Sequence, residues 1–254
     1  MSVEVVRDDG LVEITLSAPE RRNALSPAEF ADLGEVLRRI ASTSADRAVL
    51  ITGAGGAFCA GAYLAEEVPD ESTVAIMGRI HEAALALHRI PQPVVAAVDG
   101  PAYGAGMSIA LAADLVLASS RATFCQVFVK RGLVPDFGSS WLLPRIVGLH
   151  AAKRLALLGE PVDAVAALDL GIATEVLDES ELLERARALA RQLAAGPPIA
   201  QRLTKQLLNA SFSRGFDDQL DAEASAAAVA TGTADVAEAF AAFAQKRSAV
   251  FSGR

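Results

Sequence analysis

Three stretches rich in small residues have the composition to do chemistry, and each follows an apolar, strand-like run. The first is Ala57-Phe58-Cys59-Ala60-Gly61-Ala62-Tyr63-Leu64. Small side chains let a backbone approach a ligand closely, and a helix beginning near Ala62 would point free N–H groups at it. The second is Gly100-Pro101-Ala102-Tyr103-Gly104-Ala105-Gly106-Met107-Ser108. Its G-x-G lacks the third glycine and the downstream acid of a dinucleotide site, and no Gly-Lys-Ser/Thr follows to make a phosphate loop. What remains is a second set of backbone donors at a helix start. The third runs from Gly132 to Arg145 (GLVPDFGSSWLLPR) and carries a carboxylate, Asp136. Pro-Asp-x-Gly-Ser before an apolar run also has the pattern of a helix N-cap. Ligand sites in α/β folds lie beyond the carboxyl ends of the strands, where all three stretches fall.

The elements that must hold these stretches are legible in the hydrophobic pattern. Val3–Val6 and Leu11–Leu16 read as strands separated by an Asp9-Gly10 hairpin turn. Pro19–Leu25 reads as a polar loop. Ser26 then caps a helix that has Pro27 at its first position and Phe30, Leu33, Leu37 and Ile40 on one face. Arg47–Thr52, Pro93–Asp99 and Asp114–Ala118 read as buried strands. A helix over about Glu71–Arg89 and a short apolar one after Gly106 lie between them. Continuous apolar strands alternating with helices predict a parallel sheet covered on both faces. Beyond Glu179 the pattern is helical, over Glu181–Ala194, Ile199–Asn209, Gln219–Ala230 and Asp235–Val250. Gly196-Pro197-Pro198 breaks the chain into a core, 1–195, and an alanine-rich helical region, 196–254, suited to packing on itself or on a second subunit.

Composition removes several function classes. The 254 residues carry 23 basic and 31 acidic side chains, a net charge of −8. Such a balance argues against a nucleic-acid or anionic-membrane partner. Cys59 and Cys125 are too few for a disulfide framework and lack metal-ligand spacing. They read as small buried hydrophobes of a protein in a reducing, cytoplasmic setting. His81 and His88 share a helical face without an acidic companion at ligand spacing and read as surface or packing residues, so no metal is expected. No apolar run reaches the roughly 18–20 residues of a membrane span. The opening MSVEVVRDDG lacks the apolar core of a signal peptide.

Taken together, the motifs show a resemblance. A-F-C-A-G-A-x-L, followed by D-G-P-A-x-G-A-G-x-x-x-A-L-A-A-D, resembles the crotonase (enoyl-CoA hydratase/isomerase) superfamily. Pro19–Leu25 (PERRNAL) is similar to that family's coenzyme A loop, and Phe243–Arg247 (FAQKR) to its C-terminal helix. The resemblance implies an α/β fold, a spiral of ββα units followed by a C-terminal helical region. It also implies a homotrimer or hexamer, an acyl-CoA substrate, and no cofactor beyond the coenzyme A that the substrate carries. It places two backbone donors for the thioester oxygen at Ala62 and Ala105. Substrate contacts fall at Arg22, Ala24, Ala60, Tyr63 and Leu64, and further ones at Ser108 and Phe128. Lys246 is positioned to meet a neighbouring subunit's nucleotide. Removing an α-proton from a thioester puts charge on the carbonyl oxygen, and one preorganised donor to such an oxyanion is worth about 2.7–4 kcal/mol.

Hydratases of this family use two glutamates, whose positions here hold Ser108 and Phe128. Neither is a carboxylate. Asp136 stands where hydratases commonly have glycine, and GLVPDxGxxWLLPR resembles enoyl-CoA isomerases, above all the ring-opening isomerases of phenylacetyl-CoA breakdown. The resemblance therefore implies a single base, Asp136, that takes a proton from one carbon and returns it to another. Phe128 and Phe137 would raise its pKa by desolvation, and a helix N-terminus would oppose them. The alternatives are hydration with Asp136 or Glu66 in new roles, and a non-catalytic acyl-CoA-binding protein. Tyr63 replaces the family's usual Asp and reads as space-filling; Glu66 and Glu67 read as a solvated helix face. Arg21 and Arg22 read equally as phosphate contacts or as solvated side chains.

Overall fold

The computed structural model describes residues 2–63 and 71–254. Strands β1 (Val3–Asp8) and β2 (Leu11–Leu16) pair antiparallel, Val3 opposite Leu16. Asp9 and Gly10 join them at φ +45° and +82°, the left-handed pair that a tight two-residue hairpin requires. Helix α1 (Pro27–Ala41) starts with a full capping box. The Ser26 hydroxyl accepts from the Glu29 N–H at 3.4 Å, and the Glu29 carboxylate accepts from the Ser26 N–H at 2.7 Å. Its Phe30, Leu33, Leu37 and Ile40 are all buried.

The chain continues through β3 (Ala48–Gly53), α2 (Thr73–Arg89), β4 (Val94–Val98), β5 (Pro101–Tyr103), α3 (Ala105–Ala112), β6 (Leu115–Ser119) and β7 (Thr123–Cys125). Then come α4 (Ser139–Val147), α5 (Leu149–Leu158), β8 (Val162–Asp163), α6 (Ala164–Asp169), β9 (Glu175–Leu177) and α7 (Glu179–Ala194). The last three helices are α8 (Pro198–Ala210), α9 (Phe216–Thr231) and α10 (Ala234–Gln245). Two strands followed by a helix recur as β1-β2-α1, β4-β5-α3 and β6-β7-α4.

The larger sheet has the order β1-β2-β3-β4-β6-β9, parallel from β2 onward. Alternation along the strands divides its side chains between two faces. Val12, Ile14, Val49, Ile51, Ala96 and Val116 pack toward α1, α2 and α3. Leu50, Val95, Ala97 and Leu117 pack toward α7, whose Leu182, Ala186 and Ala190 meet them. Both faces are covered, as the continuous apolar runs predict. The smaller sheet, β5-β7-β8, is made of strands of two or three residues.

Some expectations need correcting. The helix expected over Asp235–Val250 stops at Gln245, where Lys246 turns left-handed at φ +52°. Arg247 then pairs with Glu238, and the chain folds back so that the Ser252 and Gly253 N–H groups donate to the Asp235 carboxylate at 2.7 and 3.0 Å. Helices α8 and α9 contain no buried residue, and Phe212, Phe216, Phe240 and Phe243 are 69%, 77%, 73% and 85% exposed. Among the described residues, no helix is long and apolar enough to cross a membrane.

Candidate active site

The first two small-residue stretches lie against each other at the carboxyl ends of β3 and β4. Cys59 and Ala102 form an isolated parallel bridge, in which the Cys59 N–H donates to Pro101 O at 3.1 Å and the Tyr103 N–H to Cys59 O at 2.9 Å. A second bridge joins Ala62 to Leu25, with the Leu25 N–H on Gly61 O at 2.9 Å and the Tyr63 N–H on Leu25 O at 2.8 Å. Ala62 is therefore extended and does not open a helix; its own N–H points away from Leu25. Ala105 is the first residue of α3, where the N–H has no partner within the helix. Neither amide meets an acceptor among the described residues.

Two glycines make this approach possible. A Cβ at Gly61 would come within 2.8 Å of Tyr103 O and 3.4 Å of Ala105 N, so the Ala105 amide sits directly beside the residue preceding Ala62. Gly61 also has φ +103°, which L side chains rarely adopt. A Cβ at Gly106 would fall 2.0 Å from Cys59 O, which only glycine avoids. Two free amides are thus brought close by backbone contact alone.

Asn23 ties the Pro19–Leu25 loop to this construction. It is fully buried at φ +59°. Its Oδ1 accepts from the Ala18 N–H at 2.8 Å, and its Nδ2 donates to Ala54 O at 2.8 Å and to Ala57 O at 2.7 Å. Replacing Asn23 with Ala strands three buried backbone groups and puts a Cβ-bearing residue without a local hydrogen bond in the left-handed region. The expected loss of stability is about 2–4 kcal/mol. It would be read as a lower urea midpoint at unchanged slope. Sequence reasoning placed Asn23 in a polar loop and missed its role, since three of its four partners, Ala54, Ala57 and Phe58, lie more than thirty residues away.

Phe128 is 6% exposed, and a Cβ at Gly104, the residue before Ala105, would lie 3.7 Å from its ring. Ser108 is buried and its hydroxyl donates to Gly104 O at 3.1 Å. Neither side chain offers a base. Asp136 lies between Phe128 and Phe137 in sequence, and Phe137 is buried against Phe30 with ring centroids 6.0 Å apart. Asp136 is half-buried, and its Oδ1 is sealed from water without a hydrogen-bond partner among the described residues. Burial alone pushes its pKa up from 3.8 to about 6.

The N-cap reading of Asp136 is overturned. Gly138, at φ +79°, is the capping residue of α4, and no side chain bonds to that helix end. Asp136 contributes only its carbonyl, which accepts from the Ser139 N–H and hydroxyl, both at 3.0 Å. The carboxylate is left free of structural duty.

The remaining expected contacts are dispersed. Ala24 is buried, Ala60 donates its N–H to Arg22 O at 2.9 Å, and the Arg22 side chain is exposed. Arg21 is committed elsewhere, paired with Glu29 and lying 5.1 Å from the Tyr63 ring centroid. Tyr63 is 45% exposed beneath that guanidinium. Lys246 is an exposed helix-end residue. Leu64, Glu66 and Glu67 lie outside the described residues. His88 packs edge-on against Trp141, His81 is exposed, and Cys59 and Cys125 are buried free thiols. A cavity of about 750 Å³ opens at the amino ends of β4 and β6 between Trp141 and α8; His88 and Arg145 line it, but none of the expected catalytic or substrate-contact residues does.

The chain is similar to several known proteins over its whole length. Over 253 residues, 97% of each chain, the sequence is 38% identical to the 1,2-epoxyphenylacetyl-CoA isomerase of Escherichia coli. It is 32% identical to the short-chain-enoyl-CoA hydratase of Clostridium acetobutylicum, covering 97% of this chain and 95% of that one. The crystal structure of an enoyl-CoA hydratase from Bacillus anthracis superposes with a TM-score of 0.96 over 100% of both chains at 30% identity. The model of the enoyl-CoA hydratase/isomerase family matches residues 7–254, and with the crotonase fold and the paired amides in place, the chain belongs to that family.

Proposed function

We propose that this family member is an enoyl-CoA isomerase with one base. The observation that carries the reading is Asp136: a half-buried carboxyl with an unpartnered oxygen and a pKa near 6, free of any capping role. Asp136 takes a proton from one carbon of the acyl chain. The C–H electron pair moves into a dienolate whose oxygen accepts from the Ala62 and Ala105 N–H groups. The same carboxyl then returns the proton to a different carbon, and the double bond has moved. Hydration needs a second group to activate water. At the two positions where the resemblance expects glutamates, Phe128 is apolar and the Ser108 hydroxyl is already bonded to Gly104 O. Similarity to an epoxyphenylacetyl-CoA isomerase adds support.

The test is deuterium wash-in at the α and γ carbons of an enoyl-CoA, followed from pH 4.5 to 8. The base works as a carboxylate, so exchange should rise with pH through a midpoint near 6. Water addition without exchange would replace isomerase by hydratase. Binding with neither would leave a non-catalytic acyl-CoA protein.

The exposed phenylalanines just after α8, at the start of α9 and in α10 support reading 196–254 as the subunit contact of a homotrimer or hexamer. Sedimentation equilibrium should give a mass of three or six chains, and a monomer at micromolar concentration would refute it. The two free buried thiols support a reducing, cytoplasmic setting, which fractionation of the native host would test.

A further inference from the structure

The proposed reaction leaves one buried polar side chain unused. Gln126, 1% exposed, follows β7 directly. One polar atom of its side-chain amide lies 3.2 Å from the Ser139 hydroxyl oxygen, and the other is buried with no partner among the described residues. Ser139 is equally buried and closes the turn from Asp136 by directing its N–H and its hydroxyl at the Asp136 carbonyl. Inside that turn Phe137 is left-handed at φ +51°, a conformation unfavourable for a residue with a Cβ. An unmet buried amide adds a further cost. With the unpartnered Oδ1 of Asp136, three unfavourable features gather around one four-residue turn. Such concentrations persist only where the surroundings over-determine the geometry, and they collect at functional sites.

We propose that Gln126 is a positioning residue: through the Ser139 hydroxyl it pins the 136–139 turn and so holds the Asp136 carboxylate in its buried place. The inference rests on Asp136 being the base, and adds that the base is held from the end of β7 through the first residue of α4. Gln126 itself touches no reacting atom.

The experiment follows two readouts in Gln126→Leu, Ser139→Ala and Ser139→Thr, with Gln126→Met in reserve should the leucine variant not fold. The first is titration of the Asp136 carboxyl by ¹³C NMR without substrate, its resonance identified by its loss in Asp136→Asn. Releasing the turn lets water reach the carboxylate, so the midpoint should fall by about one pH unit toward the ordinary aspartate value in Gln126→Leu and Ser139→Ala. Ser139→Thr keeps the hydroxyl and should stay near wild type. The second readout is exchange, where kcat should fall about tenfold with KM within about twofold. The double variant should be no slower than the slower single, because both act through one chain of bonds. Unmoved carboxyl midpoints in both variants, or losses that multiply in the double, would overturn the proposal. Because the titration needs no turnover, a protein lacking exchange would remove Asp136 as base while the positioning of its carboxyl is still decided.

Discussion

Asp136→Asn should slow exchange between solvent and an enoyl-CoA by about 10³-fold, within the range that a positioned acid–base group supplies. The amide matches the carboxyl in shape but cannot carry a proton between carbons, so acyl-CoA affinity should hold within a few-fold. The same substitution should make the protein more stable. The folded state raises this carboxyl from 3.8 to about 6, so ionising it opposes folding. That opposition is absent below about pH 3.8, grows between there and pH 6, and is complete above. At about 1.4 kcal/mol per pH unit the full displacement approaches ~3 kcal/mol, and partial solvent contact reduces it to about 1–2 kcal/mol. Denaturant unfolding at pH 7.5 should show that gain, and at pH 3.5 the two proteins should match. A variant that loses activity and stability together at neutral pH would mean that Asp136 is a structural residue.

Ala105→Pro isolates the other half of the chemistry. Proline is well tolerated at the first position of a helix, where its missing N–H bonds to nothing in the helix anyway. Ala105 occupies that position in α3. The substitution therefore deletes one hydrogen-bond donor while leaving the helix able to form. Loss of a single donor to a developing oxyanion should lower kcat by about 10²–10³-fold. Ala105→Gly keeps the amide and should remain close to wild type. Full activity in a folded Ala105→Pro protein would remove the Ala105 amide from the proposed mechanism.

The legible parts of the fold were those with enough residues to show a period. Helix α1 announced itself through Ser26-Pro27 and four apolar residues on one face, and β3, β4 and β6 through continuous aliphatic runs. Strands β5, β7, β8 and β9 have two or three residues each, too few for an alternation to be counted. At the site, Ala62, Ala105 and Asp136 could be proposed from motif order, but local conformation could not. Ala62 is extended because Leu25, distant in sequence, pairs with it. Asp136 fails to cap α4 because Phe137 and Gly138 are both left-handed and insert an extra corner before the helix. Nothing in Pro-Asp-x-Gly-Ser distinguishes that corner from an ordinary cap. Gln126 carried no signal at all, since its single partner comes from the far side of the turn.

The paired amides have one further consequence. In the proposed mechanism the polarising groups are peptide N–H groups, fixed by the Cys59–Ala102 and Leu25–Ala62 pairings and by two glycines without Cβ atoms. Point mutation rarely deletes a peptide N–H, so this half of the machinery is insulated from sequence drift. Positions 108, 128 and 136 are ordinary side chains and can be exchanged one at a time. Such a scaffold can acquire a new fate for the same carbanion without rebuilding the device that makes the carbanion accessible.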